Sequence, residues 1–193
     1  MLPLPEPLLG SRAIGEAFEG PRGRDYPYTE SYEWGGVDFA DPSEGLISHT
    51  WRAWTNGRKI WCQREGSAVV RELVNDIAIT EIDLTFDQNM QPCLVYKTGE
   101  DVKLIWYNSQ LDRFVTTQFE NLHYPRVSLD DKRPFNIANS DIIFAYIRAE
   151  SLYYRIQRER YSVEHLLLDR VGSNELIKIG MSENLRFLFH VFP

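Results

Sequence analysis

Short runs of β-branched and aromatic residues, each closed by turn residues, recur along this chain from Leu46 onward, and that rhythm constrains the fold more than any other feature. The run at 48–54 breaks at Thr55-Asn56-Gly57-Arg58 and resumes at 59–63. Asn-Gly between two such runs is a strong hairpin signal and predicts a type I′ turn with positive φ at Gly57. A second hairpin is expected over 93–97 and 102–107, turning through Thr98-Gly99-Glu100-Asp101, and a third over 141–148 and 152–157, turning at Ala149-Glu150-Ser151. Trp54, Tyr96 and Tyr146 stand just before the three turns, 42 and 50 residues apart, while Trp61, Trp106 and Tyr154 stand on the return runs. Further β-rich runs follow at 68–74, 113–119 and 161–168. Spacings near this size suit a propeller blade or a repeated meander, so the expected class is mainly β, antiparallel hairpins in a blade-like or sandwich arrangement.

Helix is scarce in this reading. The segment 151–168 is rich in Arg, Glu, Leu and Tyr, yet its aromatic and β-branched residues alternate with polar ones, so strands are expected there. A final pair, 175–179 and 185–192, flanks Gly180-Met181-Ser182-Glu183-Asn184. The last run places Phe187, Phe189 and Val191 on one face and Leu188, His190 and Phe192 on the other. Such a strand is expected to lie centrally in its sheet or beneath a partner.

The start of the chain has another character. Prolines 3, 5, 7, 21 and 27 and glycines 10, 15, 20 and 23 crowd its first 27 residues. Proline fixes φ and removes a backbone donor, so residues 1–44 are expected to form an extended arm ahead of a β-rich domain at 45–193. Tyr26, Tyr28, Tyr32 and Trp34 make the arm too aromatic for a linker. These rings either fold back on the chain's own core or dock on a neighbour, as Tyr and Trp do at interfaces. Together with Phe189 and Phe192 they are the candidate interface residues.

Composition removes several chemistries. Twenty-one Lys and Arg against 28 Asp and Glu give a net charge of -7, contrary to the basic surface that general nucleic-acid binders need. No apolar stretch approaches the roughly 20 residues of a membrane helix, and Met1-Leu2-Pro3-Leu4-Pro5 has no basic region ahead of an apolar core, so neither a membrane span nor a secretory signal is expected. Cys62 and Cys93 lack metal-knuckle or redox spacing and are expected to be buried, reduced thiols. His49, His123, His165 and His190 show no short pairing for zinc. Asp83, Asp87, Asp130 and Asp131 sit beside turn residues, where Asp commonly bonds its own backbone. No glycine loop has the strand-to-helix context of a phosphate cradle, and the basic residues Arg148, Arg155, Arg158 and Arg160 are interleaved with Glu150, Glu159, Glu164 and Asp169. No catalytic residue, metal or cofactor is expected. Trp106, Tyr107, Tyr153 and Tyr154 could instead stack on a sugar, which makes a β-sandwich module recognising surface carbohydrate the alternative reading.

Three stretches carry a family likeness. Leu84-Thr85-Phe86-Asp87-Gln88-Asn89-Met90-Gln91-Pro92, Val102-Lys103-Leu104-Ile105-Trp106-Tyr107, and the segment from Asp130-Asp131-Lys132-Arg133 through Asn139-Ser140-Asp141-Ile142-Ile143-Phe144-Ala145-Tyr146 to Tyr154-Arg155-Ile156-Gln157-Arg158-Glu159-Arg160-Tyr161 resemble virion structural proteins of tailed bacteriophages, over roughly residues 46–190. The resemblance implies a β-rich tail component (hub, nozzle, collar or fibre base), assembled in the host cytoplasm as a homo-oligomer against other virion tail proteins. It implies no catalytic residue.

Overall fold

The computed structural model describes residues 29–38, 47–65, 67–87, 91–130, 141–172, 174–181 and 187–192. Fourteen strands follow in chain order: β1 (Glu30–Asp38), β2 (Ile47–Thr55), β3 (Lys59–Arg64), β4 (Val70–Asn75), β5 (Ile79–Phe86), β6 (Pro92–Thr98), β7 (Asp101–Asn108), β8 (Arg113–Glu120), β9 (His123–Leu129), β10 (Ile142–Arg148), β11 (Ser151–Ile156), β12 (His165–Leu168), β13 (Glu175–Met181) and β14 (Phe187–Phe192). A 3-10 turn, Gln157–Glu159, follows β11. No α-helix occurs among the described residues, and no helix there is long and apolar enough to cross a membrane.

The strands pair in chain order into antiparallel sheets, β1-β2-β3-β4, β5-β6-β7-β8, β9-β10-β11-β12 and β13-β14. These follow one another as four blades of a ring, in the manner of a β-propeller, with β1 against β5, β5 against β9 and β9 against β13. Each hairpin read from the sequence is thus the middle of a blade. The strand before it, β1, β5 or β9, is the inner strand, and the run after it, β4, β8 or β12, is the outer one.

Period-2 alternation explains how blades pack face to face. On β5, Ile82, Leu84 and Phe86 join Trp51, Ala53, Ile60, Cys62 and Val74 of the first blade in one core. On β6 and β7, Cys93, Val95, Val102, Leu104 and Trp106 face the other way, against Val127, Ile142, Phe144 and Tyr146 of the third blade. Ile143, Ala145 and Ile147 of β10 then meet Leu176 and Ile179 of β13. β10 is buried at every position from Ile142 to Ile147 because both of its faces are covered.

Three expectations need correction. The arm does not extend to residue 44: Glu30–Asp38 is β1, paired with β2 from Glu30↔Trp54 to Asp38↔Ile47. Prolines 3, 5, 7, 21 and 27 all precede β1, and from Ser31 onward the Tyr-Glu-Trp alternation is that of a strand. The Asn56-Gly57 turn is not type I′. Gly57 has φ +86°, but Asn56 is not left-handed; its Oδ1 instead accepts from Arg58 N and Lys59 N, both at 3.0 Å, an Asx turn. The two-residue loop with both φ positive occurs at Ala149-Glu150, between Arg148 and Ser151, and is tied down by Val171 N donating to Glu150 O at 2.7 Å. Finally, β14 is not central among the described residues. It pairs with β13, packing Phe189 and Val191 on the third core and leaving Leu188 and His190 exposed.

Candidate functional site

The inner strands bring buried polar groups together around the ring's centre. The residues of β5 that face away from the first core are Glu81, Asp83 and Thr85, and all three are buried. Across from them on β9 lie Arg126 and Ser128, and on β1 lies Ser31. Asp83 is the knot. Its Oδ1 accepts from Ser31 Oγ at 2.6 Å and its Oδ2 accepts from Val127 N at 2.9 Å, so one carboxylate ties β1, β5 and β9. Leu84 N donates to Ser31 Oγ at 3.2 Å, closing the loop back to β5. Buried polar groups are tolerated when each finds such partners.

A second tie lies beside the first. The Arg126 guanidinium, 2% exposed, donates to Pro125 O at 2.7 Å and lies 3.5 Å from Glu81 Oε2. On the next blade, Tyr124 donates to Glu175 at 3.4 Å, linking β9 to β13, and burial followed by the Glu175 charge raises the phenol's pKa. The polar strip therefore continues from the first blade to the fourth.

A cleft of about 240 Å³ opens between the second and third blades, beneath Asn108, Gln110, Asp141, Gln157, Arg158 and Arg160. Trp106 and Tyr107 line it as well, but Trp106 is 5% exposed and packs edge-to-face on Tyr161, so the aromatic surface is a floor and not a platform. The rim is cross-braced. Arg158 makes an ion pair with Asp141, whose Oδ1 also accepts from Arg158 N at 3.0 Å, and Arg160 reaches across 50 residues of sequence to Gln110.

The residues singled out from sequence fall in several places. Asp87 forms a turn, with Gln91 N on its Oδ1 at 2.8 Å, whereas Asp130 Oδ1 accepts from Asp141 N at 2.8 Å, eleven residues on, and Asp131 lies outside the described residues. Three of the four arginines pair with carboxylates, Arg158 with Asp141 and Arg148 and Arg155 with Glu164. Glu164 takes Arg148, Arg155 and the Tyr146 hydroxyl, and Arg155 also stacks over Phe119 at 5.1 Å. Tyr153 lies half-buried, stacked on Tyr146 at 6.2 Å, and Tyr154 is stacked on His165 at 4.9 Å, so the two do not form one exposed face. Of the candidate interface residues, Tyr26 and Tyr28 lie outside the described residues. Tyr32 and Trp34 sit on β1 opposite Arg52 and Thr50, Phe189 packs against the third core, and Phe192 sits opposite Glu175. No group of three or more His, Cys, Asp or Glu able to hold a metal occurs among the described residues. Sequence reasoning missed the central strip, although the alternation Glu81-Ile82-Asp83-Leu84-Thr85 holds its signal, a strand polar on one face and apolar on the other.

Cys62 and Cys93 are free and fully buried. Burial pushes the Cys62 thiol up from 9.0 to about 11 and the Cys93 thiol further. Above pH 9 the folded chain therefore holds protons that the unfolded chain releases, and stability falls as pH rises. We expect the urea midpoint to be level from pH 7 to 8.5 and to drop steadily between pH 9 and 11. A midpoint that stays level or rises across that window would show that the thiols are not sealed.

Comparison with known protein families, curated proteins and solved structures finds no match to this chain.

Proposed function

We propose that the chain is a structural component of a tailed-phage virion, a tail assembly protein that acts through protein–protein contacts. The observation that carries this reading is the fourth blade. Among the described residues it has two strands where the other blades have four, with the backbone of β14 forming one edge and Leu188 exposed at 40%. An uncovered strand edge is a template on which a neighbouring chain can add a strand. The carboxylate at the ring's centre supports the same reading, because both oxygens of Asp83 hold strands together.

The test is removal of residues 1–28, a cut placed to spare β1 and Ser31. We expect unchanged far-ultraviolet circular dichroism and a loss of assembled mass in light scattering, because the segment supplies contacts to neighbours. Unfolding on truncation, or unchanged assembly, would count against the proposal. The carbohydrate reading has one observation in its favour: the amides of Asn108, Gln110 and Gln157 around an aromatic floor in the cleft. A protein that is a strict monomer with and without residues 1–28 would shift weight to it.

A further inference from the structure

The three outer strands are not alike. β4 carries Arg71 and Glu72, and β8 carries Arg113 and Glu120, charges that discourage another chain from pairing with a sheet edge. β12 is the edge of its sheet and carries Leu166, Leu167 and Leu168, exposed at 56%, 40% and 53%. Leu167 has no partner on β11, because the register steps from Leu152↔Leu168 to Tyr153↔Leu166.

The flanking charges indicate what covers this edge. Residues 164–170 read Glu-His-Leu-Leu-Leu-Asp-Arg. Reversed about Leu167, the segment sets Leu166 opposite Leu168, His165 opposite Asp169 and Glu164 opposite Arg170. Like charges never meet, so in antiparallel register the segment is its own complement. Asp169 and Arg170 are 66% and 90% exposed, 3.8 Å apart at nearest approach; Asp169 Oδ1 already accepts from Ser151 Oγ at 2.9 Å and His165 lies 2.7 Å from Glu159, so these flanks set register more than they add energy. Glu164 is already shared by Arg148 and Arg155, so Arg170 contributes register more than energy.

We propose that β12 is a two-fold interface. A second copy of this chain pairs antiparallel along it with Leu167 on the axis, joining two third blades into one eight-stranded sheet. This goes beyond the virion role and does not rest on it. The pairing would close as a dimer whether or not any tail protein is bound.

Single-cysteine variants of the full chain test the register, since the native thiols are buried and do not compete. Under mild oxidation, Leu167→Cys should give a disulfide-linked dimer. Leu166→Cys and Leu168→Cys should each fail alone and cross-link when mixed, because antiparallel pairing sets one opposite the other. Leu111→Cys, at an exposed loop residue, measures random collision. Leu167→Lys sets two ammonium groups together on the axis and should weaken dimerisation about tenfold or more with circular dichroism unchanged. The proposal is overturned if Leu167→Cys cross-links no faster than Leu111→Cys, or if Leu166→Cys alone cross-links as readily as Leu167→Cys. Dimer mass unchanged by Leu167→Lys would overturn it equally, and the virion reading would survive any of these results.

Discussion

Replacing Asp83 with alanine is expected to remove about 3–5 kcal/mol of folding stability, a large share of the roughly 5–15 kcal/mol available to a domain. The variant strands the Ser31 hydroxyl and the Val127 amide, each 2.9 Å or less from the lost carboxylate, in a region that is almost dry. Each orphaned buried donor costs about 1–3 kcal/mol. Asp83→Asn keeps one acceptor oxygen and should cost less, about 1–2 kcal/mol. Urea unfolding followed by tryptophan fluorescence reads both values, and an Asp83→Ala loss under about 1 kcal/mol would mean that the inner strands are held by apolar packing alone.

Phe144→Ala is the second large effect. Phe144 is fully buried between the second and third blades, with ring centroids of Tyr146, Phe119 and Tyr161 at 4.9, 5.1 and 6.5 Å. Truncation removes the transfer free energy of the ring and leaves a cavity whose aromatic walls can collapse only in part, a cost of about 3–5 kcal/mol. Phe144→Leu retains most of the volume and should cost under about 1.5 kcal/mol. If Phe144→Ala shifts the urea midpoint no more than Phe144→Leu does, the two blades are not locked through this ring.

Much of the blade architecture was legible because hairpins are local. The runs at 48–63, 93–107 and 141–157 needed only alternation and turn residues to be placed, and the structure puts β2-β3, β6-β7 and β10-β11 there. The inner strands were harder to see. β5 and β9 bury both faces, one against a core and one against the polar strip, and sequence shows their partners only when strands from different blades are brought together. Asp83 illustrates the difficulty. An aspartate near a turn ordinarily bonds only local backbone, as Asp87 does, whereas Asp83, besides accepting from Leu84 N at 3.2 Å, accepts from residues 52 and 44 positions away. The aromatics before the turns stand where the sequence places them but differ in their partners, since Trp54 faces Trp61 while Tyr96 faces Lys103. Strand order repeats from blade to blade; side-chain pairs do not.

Among the described residues, β12 and β14 are edge strands. They carry exposed apolar side chains, Leu166, Leu167, Leu168 and Leu188, where a neighbouring chain can cover them. The claim that this protein works by assembling is tested most directly by the mass of the full chain, measured by light scattering across concentration. A discrete particle of several copies, stable on dilution, is the predicted result, and a chain with the mass of one copy at every concentration would contradict it.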